Sequence, residues 1–242
     1  MSGPGGTAKK SLSVIIPAYN EERRLPKTVQ EIERYLLSNG YDAEILIVDD
    51  GSRDGTKEVA AALEKSLTLV RLLTYPGNQG KGYAVKTGIL AATRALVLYT
   101  DADHSTPIEE VEPLSEFIDR GCGVVIGSRK VRRSQLLIRQ PPLREAMGRI
   151  FQTVISLIGL RGFNDTQCGF KLFTAEAGKR IFSRVKTRGF AFDVEVLMRA
   201  RQLGYKIAEV GVRWRDAEGS RVHPVRDSLR MLVEILKMRQ IF

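Results

Sequence analysis

The stretch LVLYTDADHSTPIEE, residues 96–110, joins an apolar run to two carboxylates that a single alanine separates. The run is apolar at consecutive positions, which indicates a strand covered on both faces, as in a parallel sheet with crossover helices. A carboxylate at the end of such a buried strand must be solvated, hydrogen-bonded or bound to a cation. The surroundings of Asp101 and Asp103 therefore decide what this stretch does.

Four further apolar runs have the same character and alternate with helical patterns: SVIIP (13–17), EILIVDD (44–50), LVRLL (69–73) and GVVIGSR (123–129). Helices are predicted near 24–38, from about 56, at about 82–93 and near 108–120. The alternation of short strands with helices predicts an α/β fold with a mostly parallel sheet and flanking helices.

Polar sequence follows each of these five strands: PAYNEE (17–22), DDGSRDGT (49–56), GNQGKG (77–82), DADHSTP (101–107) and GSRK (127–130). In an open α/β sheet, ligands bind outside the carboxyl ends of the strands. One polar strand end is a turn, whereas five at the same edge predict a binding site.

The length and composition fit one globular domain. The chain has 242 residues, of which 43% are hydrophobic and 27% charged, and we predict a flexible leader at 1–11 and a single domain at 12–242. The longest apolar stretch, residues 150–160, is well short of the roughly 20 residues that cross a bilayer. We therefore predict neither a transmembrane helix nor, from the polar start, a signal peptide.

The formal net charge of +10 is concentrated in the second half of the chain, where residues 129–149 hold seven Lys and Arg against one acid. Such a run favours a solvated basic face, an anionic membrane surface or nucleic acid. We predict no nucleic-acid partner, because no RNP, KH or zinc-finger pattern occurs. Residues 143–160 and 224–242 are amphipathic, and each predicts a helix packed on the core or lying in the membrane interface.

The carboxylates of Asp101 and Asp103 are candidate metal ligands. An extended backbone would turn both side chains the same way, and hard oxygen ligands suit Mg²⁺ or Mn²⁺. The alternative is an Asx turn that caps the helix starting near Pro107. In GNQGKG, Lys81 precedes a helix whose backbone N–H groups could meet a phosphate, although the spacing is not that of a P-loop.

Taken together and in order, IIPAYNEE, VDDGSRDGT, NQGKGYAVKTG, DADHSTP and GSR resemble the inverting family 2 glycosyltransferases, which have a nucleotide-sugar-binding fold of the GT-A type. Three later motifs, FNDTQCGFKLF (163–173), GFAFDVEVL (189–197) and EGSRVHP (218–224), resemble the polyprenyl-phosphate branch of that family, in particular the dolichyl-phosphate β-glucosyltransferases. The resemblance covers roughly residues 12–238. It implies a donor-binding part at about 12–128 and an acceptor and membrane-interface part at about 129–242.

The resemblance also implies roles for individual residues. The donor would be bound by the nucleoside cradle, the uracil contact Asp49, the ribose or diphosphate contact Asp101 and the diphosphate contact Arg221; the cradle residues are Pro17, Ala18, Tyr19 and Glu21. Asp103 would hold the metal, with Asp101 beside it. Arg129 and Gln167 would meet the acceptor phosphate. Catalytic roles are expected for Asp103, Arg129, Asp165 and Asp193, and Glu195 also falls in a motif near the acceptor.

The implied reaction moves a hexose, with glucose from UDP-glucose favoured, to a polyprenyl or dolichyl phosphate with inversion and with the help of Mg²⁺ or Mn²⁺. Two alternatives stay open: a family 2 transferase with a hydroxyl acceptor, which would use Asp165 or Asp193 as general base, and a GDP-mannose-dependent dolichyl-phosphate mannosyltransferase. Ser105 stands where the related mannosyltransferases often place a glutamine, which leaves a third metal ligand unassigned. We expect peripheral attachment to the cytoplasmic face of a membrane.

Overall fold

A computed structural model describes residues 10–131, 134–136, 162–215, 231–235 and 238. The first half of the chain alternates strands and helices as predicted: β1 (Ser11–Ala18), α1 (Leu25–Ser38), β2 (Asp42–Asp49), α2 (Thr56–Ser66), β3 (Val70–Thr74), α3 (Lys81–Ala91) and β4 (Leu96–Thr100). The remaining elements begin with a short 3₁₀ turn (Ile108–Glu110), followed by α4 (Val111–Asp119), β5 (Val124–Ser128), β6 (Gln135–Leu136), β7 (Phe170–Thr174), α5 (Ala175–Phe182), α6 (Phe192–Gln202), β8 (Ile207–Gly211) and β9 (Arg213–Trp214). Residues 231–235 are helical.

Seven strands form one sheet in the order β3-β2-β1-β4-β7-β5-β8, and β6 pairs with β9 separately. Strand β7 is antiparallel to both of its neighbours, β4 and β5, whereas the other pairs in the sheet are parallel. The predicted α/β class and mostly parallel sheet are therefore confirmed. The four strands β6 to β9 and the helix α5 were not predicted.

Helices cover both faces of the sheet because successive strand residues point to opposite sides. On β1, Ile15 faces the layer that contains α3, α5 and α6, while Val14 faces the layer that contains α1, α2 and α4. Both residues are fully buried. The carboxyl ends of β1, β2, β4 and β5 consequently meet at one edge of the sheet, where the polar loops predicted from the sequence converge.

Part of the C-terminal amphipathic segment is described. Met231, Ile235 and Met238 are buried against the core layer of α3, α5 and α6, whereas Val233 is 50% exposed. The described turn of this helix thus packs on the core and presents an apolar side chain outwards. The other amphipathic segment, residues 143–160, lies outside the described residues. Within the described ranges, no helix is both long and apolar enough to span a bilayer.

Candidate active site

A cavity of about 820 Å³ opens at the carboxyl edge of the sheet. Its wall is built by the loops after β1, β2, β3 and β4, by residues 186–190 and by residues of the helical segment near the C-terminus. Seven of the predicted site residues line it: Pro17, Ala18, Tyr19, Glu21, Lys81, Asp101 and Asp103. Four of the five polar loops predicted from the sequence, those after β1, β2, β3 and β4, contribute residues to this wall, whereas GSRK (127–130) contributes none.

The DAD triplet is a turn rather than the extended segment expected from the sequence. Strand β4 ends at Thr100, the next residues turn, and His104 has a φ of 52°. The backbone N–H of Ser105 donates to Asp103 Oδ1 at 3.0 Å, as in an Asx turn. Both Asp side chains nevertheless line the cavity, so the turn shapes the site without removing either carboxylate from it.

Asp101 and Asp103 differ in their charged neighbours. Lys81 Nζ lies 2.6 Å from Asp101 Oδ1, and although burial lowers the pKa of Lys81, the neighbouring carboxylates, Asp101 first, raise it overall. Burial and the charge of Asp101 raise the pKa of Asp103, despite its hydrogen bonds from Ser105. The negative charge at Asp103 is therefore only partly compensated.

This charge imbalance fits a divalent cation. A cation beside Asp103 would relieve both its burial penalty and its repulsion by Asp101. In the described part of the chain, no group of three or more His, Cys, Asp or Glu is placed to hold a metal alone. Such a cation would therefore take its remaining ligands from substrate phosphates and water, as Mg²⁺ commonly does.

Asp101 is held in place from the side of β7. A Cβ on Gly169 would lie 2.0 Å from Asp101 Oδ2, a distance that no side chain tolerates. Glycine at the start of β7 thus lets the backbone approach the carboxylate closely. Gly169 directly precedes β7, which was not predicted, and its lack of a side chain leaves room for the Asp101 carboxylate.

The loop after β1 is locked to the loop after β2. The N–H of Glu21 donates to Thr56 Oγ1 at 2.7 Å, and the N–H of Arg53 donates to Asn20 Oδ1 at 2.8 Å. The carboxylate of Glu21 accepts from Arg24 Nε at 2.6 Å. Arg24 lines the cavity and was missed in the sequence; its position three residues after Glu21 at the start of a helix was the available signal.

Of the two carboxylates that end β2, Asp50 and not Asp49 lies on the cavity wall. Asp50 accepts four hydrogen bonds, from Tyr75 Oη, Asn78 Nδ2 and the N–H groups of Gln79 and Gly80. Burial nevertheless raises the pKa of Asp50. Asp49 is buried, and its Oδ1 accepts from the N–H of Ser52 at 3.2 Å. Asp50 therefore holds the GNQGKG loop, and the uracil contact of Asp49 stays a prediction.

Arg129 and Asp165 form a two-pronged ion pair, and neither residue lines the cavity. Arg129 Nε donates to Asp165 Oδ2 at 2.7 Å and Nη2 donates to Oδ1 at 2.8 Å, while the guanidinium lies 5.4 Å from the Trp214 ring centroid. Burial raises the pKa of Asp165, but the charge and hydrogen bonds of Arg129 outweigh burial and lower the pKa to about 2. Both oxygens of Asp165 are engaged, which makes it a poor general base.

Asp193 belongs to a buried network of hydrogen bonds. Lys171, which is fully buried, donates from Nζ to Asp193 Oδ1 at 2.6 Å, to Tyr99 Oη at 2.8 Å and to the Cys168 carbonyl at 2.7 Å. Tyr99 also donates to Asp193 Oδ1. Burial, followed by the charge of Asp193, raises the pKa of Tyr99 well above its usual value. Neither Asp193 nor Lys171 lies on the cavity wall.

The remaining predicted residues have structural partners or lie outside the described residues. Glu195 accepts from the N–H groups of Lys186 and Thr187 and thereby holds the loop before α6. Gln167 Nε2 lies 3.1 Å from Met231 Sδ. Arg221 lies outside the described residues. The loop that Glu195 holds contributes Lys186, Arg188 and Phe190 to the cavity wall, and none of these was predicted.

The family model described as "Glycosyl transferase family 2" matches residues 13–182, which include the first cavity loops and the Arg129–Asp165 pair. The chain belongs to glycosyl transferase family 2. Membership makes it a glycosyltransferase.

Two relatives extend the match over nearly the whole chain. One dolichyl-phosphate beta-glucosyltransferase of Trichomonas vaginalis is 39% identical over 94% of this chain and 72% of its own length. The human dolichyl-phosphate beta-glucosyltransferase is 35% identical over 95% of this chain and 75% of its own length. The polyprenyl-phosphate branch predicted from the later motifs is thus the one in which these relatives are found.

The fold is shared with solved glycosyltransferases of the GT-A type. The crystal structure of glucosyl-3-phosphoglycerate synthase from Mycobacterium tuberculosis, in complex with Mn²⁺, UDP and glucosyl-3-phosphoglycerate, superposes with a TM-score of 0.68 at 20% identity. The match covers 99% of this chain and 86% of the other. The predicted GT-A fold class is confirmed.

Proposed function

We propose that the protein transfers glucose from UDP-glucose to a polyprenyl phosphate of the dolichyl type, with inversion at the anomeric carbon. The observation that carries the proposal is the identity of 35–39% to dolichyl-phosphate beta-glucosyltransferases across nearly the whole chain. A cavity with both carboxylates and cations on its wall provides the place for such a reaction.

The donor would occupy the part of the cavity that follows β1 and β4. Pro17, Ala18, Tyr19 and Glu21 would cradle the nucleoside, with Asp49 and Arg221 as further predicted contacts. Asp103, with Asp101 beside it, would hold a Mg²⁺ or Mn²⁺ ion. When bound, that ion would neutralise the charge of the departing nucleoside diphosphate. Lys81 supplies a further positive charge at the same place.

The acceptor phosphate is its own nucleophile. A phosphate monoester, with a second pKa of about 6, is largely anionic at neutral pH and needs little help from a general base. The structure of the site agrees with a reaction that needs no general base. Asp165 is paired with Arg129 and Asp193 with Lys171, so neither carboxylate is available to accept a proton. Their proposed contribution to catalysis is to position these cations.

Arg129 and Gln167 keep their proposed role at the acceptor phosphate. Arg129 is paired with Asp165, so its guanidinium would have to share that carboxylate with the incoming phosphate. A hydroxyl acceptor would instead require a free base close to the cavity, and both candidate carboxylates already accept hydrogen bonds from cationic side chains. The phosphate acceptor is therefore the better match to the site.

The proposal includes peripheral attachment to the cytoplasmic face of a membrane, where a lipid acceptor would be met. The exposed Val233 and the concentration of Lys and Arg in residues 129–149 support it. The division into a donor part at about 12–128 and an acceptor part at about 129–242 is part of the same proposal. The cavity wall draws residues from both parts.

The test is transfer of labelled sugar to a polyprenyl phosphate in detergent. UDP-glucose, UDP-N-acetylglucosamine, UDP-glucuronate and GDP-mannose are compared in parallel, each with Mg²⁺, Mn²⁺ or a chelator. We expect lipid labelling from UDP-glucose with either metal and none with the chelator. Labelling from GDP-mannose alone would establish the mannosyltransferase alternative, and donor hydrolysis without lipid labelling would contradict the acceptor assignment.

A further inference from the structure

Four basic side chains lie on the cavity wall, and two of them are neutralised. Arg24 pairs with Glu21, and Lys81 pairs with Asp101. An anionic group in the cavity would have to compete with those carboxylates for either cation. The other two basic residues on the wall, Lys186 and Arg188, come from one loop.

Lys186 and Arg188 form no ion pair with any carboxylate of the described residues. Glu234 lies on the same wall, where its carboxylate would be 3.1 Å from a Cβ on Gly189. Both cations are exposed to solvent while lining the cavity, and no ion pair within the described residues neutralises them. Such charge favours an anionic ligand.

Two contacts hold the Arg188 side chain in place, and both partners are uncharged. Its Nη1 donates to Gln79 Oε1 at 2.7 Å, and its guanidinium lies 5.3 Å from the centroid of the Tyr83 ring. An amide oxygen and an aromatic face orient a guanidinium without cancelling its charge. Arg129, held by two carboxylate oxygens of Asp165, shows the opposite arrangement.

The backbone that carries the two cations is also held. The Arg188 carbonyl accepts from the N–H of Gly82 at 2.7 Å. The buried carboxylate of Glu195 accepts from the N–H groups of Lys186 and Thr187 at 3.0 and 2.8 Å. The loop is thus tied to both α3 and α6, which lowers the entropy cost of binding.

The wall next to these cations is apolar. Phe190 follows Arg188 by two residues, and Met231 and Met238 line the same cavity from the helical segment near the C-terminus. A ligand that meets both surfaces carries an anionic head and a hydrocarbon body. A phosphomonoester of a long alcohol has this chemistry, and two cations match its dianionic form.

We propose that Lys186 and Arg188 are the cations on the cavity wall that bind the phosphate of an amphiphilic phosphomonoester acceptor, in addition to Arg129 and Gln167, with its first hydrocarbon units against Phe190 and Met231. The inference rests on the proposed function, since it names the residues that would receive its lipid substrate. The donor diphosphate offers the same anionic chemistry, and the experiment separates the two sources.

The experiment compares wild type with Arg188→Gln, Lys186→Gln and the double variant. Arg120→Gln is the matched control, because Arg120 also stacks on an aromatic ring, 5.0 Å from the Phe117 centroid, but precedes β5 at the other edge of the sheet. Calorimetry measures the binding of farnesyl monophosphate and, separately, of UDP with Mn²⁺. Steady-state assays measure KM for polyprenyl phosphate and for UDP-glucose, and thermal melting checks that each variant folds.

We expect each single variant to weaken farnesyl monophosphate binding, and to raise KM for the lipid, by about tenfold through loss of one charge-assisted contact. UDP affinity should stay within about twofold of wild type, and the control should match wild type throughout. Weaker UDP binding with unchanged lipid binding would assign the cations to the donor and overturn the proposal, as would no change in either.

Failure of the proposed function has a different signature. If wild type transfers no glucose to a polyprenyl phosphate while farnesyl monophosphate binding still depends on Arg188, the phosphate site is supported and the proposed reaction is contradicted. If transfer occurs and Arg188→Gln matches wild type in every measurement, the proposed reaction is supported and the proposed phosphate site is contradicted.

Discussion

Asp103 is a buried carboxylate whose charge the protein itself leaves partly uncompensated. Burial and Asp101 both raise its pKa, and the nearest lysine, Lys81, is engaged by Asp101. A protein tolerates such a carboxylate where a cation arrives with the substrate. The proposed cation would account for the two acids that follow the apolar run of β4.

Asp103→Asn should lower glucosyl transfer by about a hundredfold or more at saturating metal, because a metal contact is worth several kcal/mol in the transition state. The melting temperature in chelator should not fall, since the substitution removes one of two repelling charges. Asp119→Asn, on an exposed side chain at the end of α4, is the control. Unchanged transfer by Asp103→Asn would refute the metal assignment.

Asp165 contributes stability that depends on pH. Its pKa is lowered to about 2 because Arg129 outweighs the effect of burial. A carboxyl whose pKa is depressed in the folded state stabilises the protein above its unfolded pKa of about 4. That contribution is lost as the pH falls through about 2.

Asp165→Asn should therefore cost about 2 kcal/mol in the free energy of unfolding at neutral pH, as the lowered pKa implies. The difference from wild type should persist down to about pH 4 and shrink between pH 4 and pH 2. Urea denaturation across this range measures it. A difference that is constant from pH 7 to pH 2 would show that the ion pair is not its cause.

The residues that sequence reasoning could place are those that share a motif with a strand end. Lys81, Asp101 and Asp103 follow predicted strands and lie on the cavity wall. Arg188 could not be found in this way, because its place in the cavity depends on the docking of its loop against α3, a contact between residues about a hundred positions apart. No local pattern encodes such a contact.

At the scale of elements, β7 shows where sequence patterns fail. Its sequence FKLFT has a lysine between apolar residues, which in isolation suggests a solvated strand or loop. In the fold Lys171 is fully buried, and its partner Asp193 stands on α6, in another part of the sequence. The periodicity of one segment cannot reveal a charge pair that two segments share.

Removing only one partner of the Lys171–Asp193 ion pair should lower the free energy of unfolding strongly. Lys171→Met leaves a buried carboxylate without its cation and should destabilise the protein by about 3–5 kcal/mol. Adding Asp193→Asn to Lys171→Met removes that unpaired charge and should recover part of the loss. Chemical denaturation of the two single variants and the double variant measures the coupling; additive losses would mean that the pair does not link β7 to α6.

For the molecule as a whole, the excess of positive charge belongs to the second half of the sequence, which is the proposed acceptor part. Residues 129–149 hold seven Lys and Arg and one acid, and the C-terminal segment exposes Val233. Basic residues next to apolar side chains give reversible binding to anionic bilayers. The net charge of +10 thus supports the proposed attachment to a membrane surface.

The protein should co-sediment with vesicles that contain phosphatidylserine and not with vesicles of phosphatidylcholine alone. Binding should weaken as salt rises from about 0.05 M to about 0.5 M, because the attraction acts over a Debye length. Equal binding to both vesicle types at all salt concentrations would contradict an electrostatic contribution.

One comparison of acceptors tests whether the protein uses a lipid phosphate. Wild-type protein, UDP-glucose and Mn²⁺ are incubated with a polyprenyl phosphate, the corresponding polyprenol or 3-phosphoglycerate, and the products are identified by mass spectrometry. The account predicts that the polyprenyl phosphate gains one hexose and that the other two stay unchanged. Glucosylation of the polyprenol or of 3-phosphoglycerate, with the polyprenyl phosphate unchanged, would contradict it.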